Sequence, residues 1–130
     1  MNASQDYAAL ALRIALGVLF IAHGLLKVLV FTVPGTVAFF ASIGLPGALA
    51  YPVIAAELLG GAALIAGVFV RPVAVALAAI SFGAILAHAG NGWVFSAPGG
   101  GWEYPLFLGV VTLVQALLGA GAYAPRLARA

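Results

Sequence analysis

Three ionisable side chains stand inside runs that are otherwise apolar: His23 and Lys27 in FIAHGLLKVLVF (20–31), and Glu57 in AAELLGGAALIAG (55–67). A carboxylate and an imidazole can hold or pass protons, and an ammonium fixes charge beside them. No acid lies near His23 and Lys27 in sequence, so their counter-charge must come from another segment. A charge near mid-bilayer costs a few kcal/mol even on the lenient insertion scale, so Glu57 requires pairing or protonation. Two readings stay open. The group is either a polar clamp that fixes helix register or a proton-bearing, ligand-facing site.

The elements that must position these groups are membrane helices. Apolar residues make up 65% of the 130-residue chain and charged residues 6%, against roughly 45–50% and about 25% in soluble domains. Eight charged side chains cannot cover a soluble surface. With no cysteine the chain has no disulfide, thiolate metal site or dithiol relay of its own. Its five basic residues are scattered singly, which is not the clustered footprint of nucleic-acid binding.

Four apolar runs are expected to span: about Tyr7 to Phe31, Leu49 to Val70, Pro72 to Ala89 and Pro105 to Tyr123. Arg71-Pro72 reads as the tight break between the second and third. The leading stretch MNASQDY has no Lys or Arg and no small-x-small site follows, so the first run is expected to stay in the mature chain. The fold class is an all-α membrane protein, residues 1–130 forming one up-down four-helix bundle. Arg13, Arg71, Arg126 and Arg129 fall on one side of that bundle and Lys27 leans to the other. The positive-inside rule then places both termini in the cytoplasm. In the first outer loop, Phe39, Phe40 and Ile43 recur at helical spacing, with Thr36 and Ser42 elsewhere around the turn, which predicts a short interfacial helix. The second outer loop holds Asn91, Trp93, Trp102 and five glycines. Its tryptophans with Tyr104 read as an aromatic belt at headgroup depth.

At 100° per residue, Arg13, Gly17, Phe20, His23, Gly24 and Lys27 share one arc of the first helix. Glu57, Gly60, Gly61 and Leu64 share one side of the second. Ser81, Ala84 and His88 align on the third, and Thr112, Gln115 and Gly119 on the fourth. Small residues let helices approach and polar ones avoid lipid, so these stripes are expected to face inward. Counted from the outer surface, Lys27 lies roughly 6 Å down, with His23 and Glu57 both roughly 12 Å down. Glu57 is therefore the expected partner of His23 and Lys27, and Arg13 and His88 complete the set of candidate pocket residues. Arg13 either snorkels to the headgroups or pairs within the bundle. His88, roughly 3 Å from its helix end, is expected to reach headgroup water, and Glu103 to offset the positive end of the last helix dipole. A depth difference of roughly 9 Å keeps the two histidines from sharing one haem iron, and no third ligand completes a metal site.

The chain resembles the DoxX family of small bacterial membrane proteins. The likeness rests on Arg13-x₃-Gly17 followed by FIAHGLLK, on AAELLGGAALIAGVFVRP at 55–72, on GGWEYPL at 100–106 and on GAGAYAP at 119–125. The resemblance implies a four-helix inner-membrane protein linked to respiratory redox chemistry, since relatives include a subunit of a thiosulfate:quinone oxidoreductase. It carries onto Arg13, His23, Gly24, Lys27, Glu57, Gly61 and Glu103 as family-typical positions, without assigning any of them a catalytic role. The ending AYAPRLARA departs from the family's usual Ser-Leu-Asp finish. The leading expectation is an accessory redox subunit that offers a bound quinone a polar pocket, with no cofactor of its own and electrons from a partner protein. Lipid surrounds it, and self-association is also open. The alternatives are a non-enzymatic scaffold or assembly protein and, third, a small transporter or proton conduit, for which four helices without an inverted repeat leave little room.

Overall fold

The computed structural model describes residues 1–125, which are helical throughout apart from loops. Helix α1 covers Ala3–Leu25, α2 Val33–Ser42, α3 Ala50–Ala66, α4 Val70–His88 and α5 Glu103–Leu118. α1 starts where Asn2 and Gln5 form a capping box, each side chain bonded to the other's backbone N–H. Its last turn widens into a π-helical segment, Leu26–Val30. Three helical stretches are long and apolar enough to cross a membrane: Ala3–Val30, Gly47–Ala66 and Val70–Asn91. At 16 residues, α5 reaches only about 24 Å, short of the roughly 30 Å hydrocarbon core.

The four long helices close a ring in which α1 packs chiefly on α3 and α4 on α5, with lesser α3–α4 and α1–α5 contacts. Neighbours run antiparallel. Gly17 of α1 meets Gly61 of α3, while Gly24, later in α1, meets Leu58, earlier in α3. Likewise Gly109 of α5 lies against Phe82, and Arg71 at the start of α4 reaches Ala116 and Leu117 near the end of α5. The core is made by Leu16, Phe20, Leu64, Val70, Leu77 and Leu108. Arg13, Glu57, Ser81, Thr112 and Gln115 are buried beside it. Leu29, Leu59, Phe107 and Leu117 point outward, as residues facing hydrocarbon do.

The α1–α3 crossing is set by glycine. A Cβ on Gly61 would stand 2.7 Å from the Gly17 carbonyl oxygen, and one on Gly17 2.6 Å from that of Gly61. Backbone cannot move aside as a side chain can. Gly61→Ala is therefore expected to cost about 1–3 kcal/mol by overpacking. On Gly60 the nearest atom is the flexible end of Leu77 at 3.1 Å, so Gly60→Ala should cost well under that. Thermal unfolding in detergent measures both, and equal shifts in midpoint would refute the account.

Three element boundaries differ from the sequence reading. The second and third helices separate at residues 67–69, where Gly67 (φ 80°) and Phe69 (φ 48°) are left-handed. Arg71 and Pro72 instead lie in the first turn of α4. Pro52, Pro72 and Pro105 each occupy the third residue of their helices, where an N–H would lack an intrahelical partner anyway. The last helix stops at Leu118, five residues before Tyr123, because Gly119 and Gly121 turn left-handed (φ 79° and 71°). The short helix expected in the first outer loop is present as α2, capped by Thr32 and started with Pro34. Thr36 is buried and Phe39 is exposed, the Thr36 hydroxyl bonding inward to the π-helical segment after α1. Arg126 and Arg129, which weigh in the orientation expected from sequence, lie outside the described residues.

Candidate functional site

Lys27 Nζ lies 2.7 Å from Glu57 Oε1, joining α1 to α3. Glu57 is only 3% exposed, whereas the Lys27 side chain keeps 22% of its surface accessible. Two sequence features allow the approach. Gly24, one turn before Lys27, leaves room for Leu58 and the Glu57 Cβ, which a methyl group there would meet at 2.7 and 3.4 Å. The π-helical turn then carries Phe31 N–H back to Leu26 O at 2.9 Å. The buried Thr36 hydroxyl reaches the Lys27 carbonyl (3.1 Å) and the Thr32 carbonyl (2.8 Å), so α2 is stapled over the turn that carries the ammonium. Glu57 Oε1 has no hydrogen-bond partner beyond that ammonium. Lys27 has three N–H donors, and this carboxylate is the one ion-pair partner among the described residues.

His23 does not join the pair. Its Nδ1 lies 2.7 Å from Leu19 O, and a carbonyl only accepts, so Nδ1 carries the proton and Nε2 is bare in the neutral ring. The ring stacks on Tyr104 of α5, centroids 5.8 Å apart and planes 23° off parallel. Among the described residues no hydrogen bond or ion pair links His23 to Glu57. The matched depths read from sequence are thus divided between two neighbours: Lys27 faces α3 and His23 faces α5.

His88 and Asn91 organise the second long loop rather than the pocket. His88 Nδ1 is 3.1 Å from both Gly99 O and Gly100 O, and Asn91 Nδ2 donates to Gly100 O at 2.8 Å. His88 therefore clamps the loop, in place of the expected reach to headgroup water. Glu103 opens α5 and its Oε1 accepts from Phe95 N–H at 3.2 Å. Trp93 and Trp102 pack edge to face, centroids 4.5 Å apart.

Arg13 sits at the opposite end of the bundle. It is 1% exposed and spends its fork on four carbonyls. Nε donates to Ala120 O (2.8 Å), Nη2 to Ala122 O (2.8 Å), and Nη1 to Leu64 O (3.0 Å) and Ile65 O (2.6 Å). Of the two roles open from sequence, pairing inside the bundle is the one observed. Of the five pocket candidates, then, Lys27 and Glu57 meet, while Arg13, His23 and His88 each serve a different contact. Thr36 and Tyr104 join the site without having been read as parts of it. Thr36 carried a signal, being the polar residue nine positions beyond Lys27 in a segment predicted helical.

These features define an apolar helical membrane protein with a buried ion pair near one end of its bundle and a buried guanidinium near the other. The chain belongs to the DoxX family, whose model matches residues 8–90, a span that takes in Arg13, Lys27, Glu57 and His88. It is also 42% identical over 86 residues to the Bacillus subtilis (strain 168) protein named "Putative oxidoreductase CatD". That alignment covers 66% of this chain and 63% of the relative's length. No solved structure matches.

Proposed function

We propose that this DoxX-family protein is an accessory membrane subunit of a quinone-linked oxidoreductase, with Lys27 and Glu57 as its protonatable site. The observation that carries the reading is the ion pair itself. It couples a buried acid to an ammonium with donors to spare and an open face. That donor set suits a carbonyl acceptor such as a quinone oxygen. The oxidoreductase name of the Bacillus relative points the same way.

A bound quinone would supply two-electron redox chemistry, its electrons coming from a partner protein. Lys27 would donate a hydrogen bond, and then a proton, to the carbonyl oxygen. Glu57, buried beside it, would hold the ammonium in place by ion pairing at 2.7 Å. His23, with Nε2 bare, would be a candidate to relay a second proton from the loop side. In this reading α5 is a fourth, short span that residues 119–125 extend to the far surface. The protein then lies in the bacterial inner membrane with both termini cytoplasmic. Among the described residues, Arg71 is the exposed basic residue at that end, whereas Arg13 is spent inside the bundle.

Purification in mild detergent followed by solvent extraction and chromatography tests the site. Quinone is expected to co-purify with the wild-type chain and to be lost from Glu57→Gln. Unchanged retention in a folded Glu57→Gln protein would remove Glu57 from the site. A second reading, a scaffold whose ion pair only sets register, is favoured by one observation. Among the described residues, two cavities at the bundle surface are lined by residues other than Lys27 and Glu57, one by Ala56, Gly60, Val73, Ala76 and Leu77, another at the Arg13 end.

A further inference from the structure

At the Arg13 end, the start of α1, the start of α4 and the end of α5 surround an open cleft of about 240 Å³. Met1, Asp6, Arg71 and residues 118–122 line it. Arg71 commits one nitrogen, Nη1, to the Ala116 and Leu117 carbonyls at 3.1 and 3.0 Å. Among the described residues its Nε and Nη2 take no partner. They lie against Gly119, where a Cβ would stand 3.2 and 2.9 Å away, so only glycine leaves that edge of the guanidinium clear. Asp6 lines the same cleft, and among the described residues its carboxylate has no hydrogen bond or ion pair. An unspent guanidinium edge and an unspent carboxylate thus share one opening.

The level of the cleft is that of a membrane surface. Tyr7 and Tyr123 pair there, ring centroids 6.2 Å apart, and both are largely exposed, as interfacial tyrosines are. The aromatic group at the other end is marked on α1 by His23 against Tyr104. Sixteen residues of helix, about 24 Å, separate the two levels, most of the roughly 30 Å hydrocarbon thickness but short of all of it.

We propose that this cleft binds the headgroup of a zwitterionic phospholipid. The Arg71 Nε/Nη2 edge takes the phosphodiester as a fork, the geometry in which guanidinium and phosphate oxygens match. Asp6 takes the headgroup ammonium. Phosphatidylethanolamine carries both charges, whereas phosphatidylglycerol offers the phosphate alone and brings no cation to Asp6. The site is separate from the Lys27–Glu57 pair and does not depend on the redox reading.

Native mass spectrometry of the purified chain, titrated in turn with phosphatidylethanolamine and phosphatidylglycerol, tests it. The wild type is expected to retain phosphatidylethanolamine about fivefold more strongly, near 1 kcal/mol. Asp6→Asn should erase that preference while keeping phosphatidylglycerol binding. Arg71→Gln should weaken both lipids, and Arg71→Lys should weaken them less. Asp6 makes no side-chain contact that folding needs, so its variant keeps the test decisive where Arg71→Gln fails to fold. Equal retention of the two lipids by the wild type, or undiminished retention by a folded Arg71→Gln protein, overturns the proposal. So does displacement of the lipid by millimolar inorganic phosphate, which would make a free anion the ligand.

Discussion

Arg13→Ala is expected to abolish accumulation of folded protein, the largest effect of any single substitution considered. Among the described residues, the guanidinium is the sole side-chain donor to Leu64 O, Ile65 O, Ala120 O and Ala122 O. Two of these lie in the last turn of α3, where carbonyls run short of intrahelical donors, although Leu64 O also takes the Gly67 N–H at 3.2 Å. The other two belong to the left-handed segment after α5. Each buried acceptor left unsatisfied costs about 1–3 kcal/mol, so losing several together rivals the 5–15 kcal/mol that holds a typical fold. The positive charge also faces the negative end of the α3 dipole, a favourable placement. Arg13→Lys should recover only part of the loss, since three donors on one atom cannot replace a planar fork. Size-exclusion profiles and thermal unfolding in detergent measure the series. A monodisperse Arg13→Ala protein with wild-type melting would show that the four bonds carry little.

The two ends of the bundle differ in how far sequence reveals them. Side-chain spacing shows which residues share a helix face, so the inward stripe of Arg13, Gly17, Phe20 and Gly24 was legible from 100° periodicity. The level of Glu57 against Lys27 follows from 1.5 Å per residue counted from each helix end. What Arg13 touches was not legible. Its partners are backbone carbonyls, which every residue supplies, and they become available only because α3 and α5 end where they do. Those ends depend on Gly67, Gly119 and Gly121 adopting positive φ, while the sequence also offers Arg71-Pro72 as a stop. A proline in a helix's first turn and a proline after its end look alike in one dimension. The contact of α2 was hidden for a related reason, since the Thr36 hydroxyl bonds to a backbone carbonyl, that of Lys27, which no side-chain pattern announces. The start of α1 was readable and passed over: Asn2-x-x-Gln5 is a capping box.

Histidine placement shows the limit of depth arithmetic. His23 and Glu57 share a level, yet a helix has a circumference as well as a height. Gly24 and Lys27 turn to α3, which leaves His23 toward α5 and Tyr104. The family match to residues 8–90 covers α1 through α4 and stops before Tyr104. The ion pair therefore lies wholly within the matched region, while the histidine's stacking partner does not.

The second large effect separates the two readings of the ion pair. Lys27→Met alone strands a buried carboxylate, and Glu57→Leu alone strands an ammonium whose stem is already desolvated. Breaking one partner of a buried pair typically costs about 3–5 kcal/mol. Replacing both together removes both desolvation penalties, and such apolar substitutions are often neutral or stabilising by about 1–4 kcal/mol. The Lys27→Met/Glu57→Leu double variant is therefore expected to fold at least as well as wild type, with a coupling energy of several kcal/mol in the double-mutant cycle. Stability alone cannot say whether the pair does chemistry. Quinone retention, measured on the same four proteins, can. If Lys27 and Glu57 are the donor and acid of a redox site, the double variant recovers its melting temperature and stays empty. If they only set register, recovered folding brings recovered binding and partner association with it. A stable, quinone-loaded double variant would leave the ion pair as a positional device, and the protonatable site would have to be sought elsewhere in the bundle.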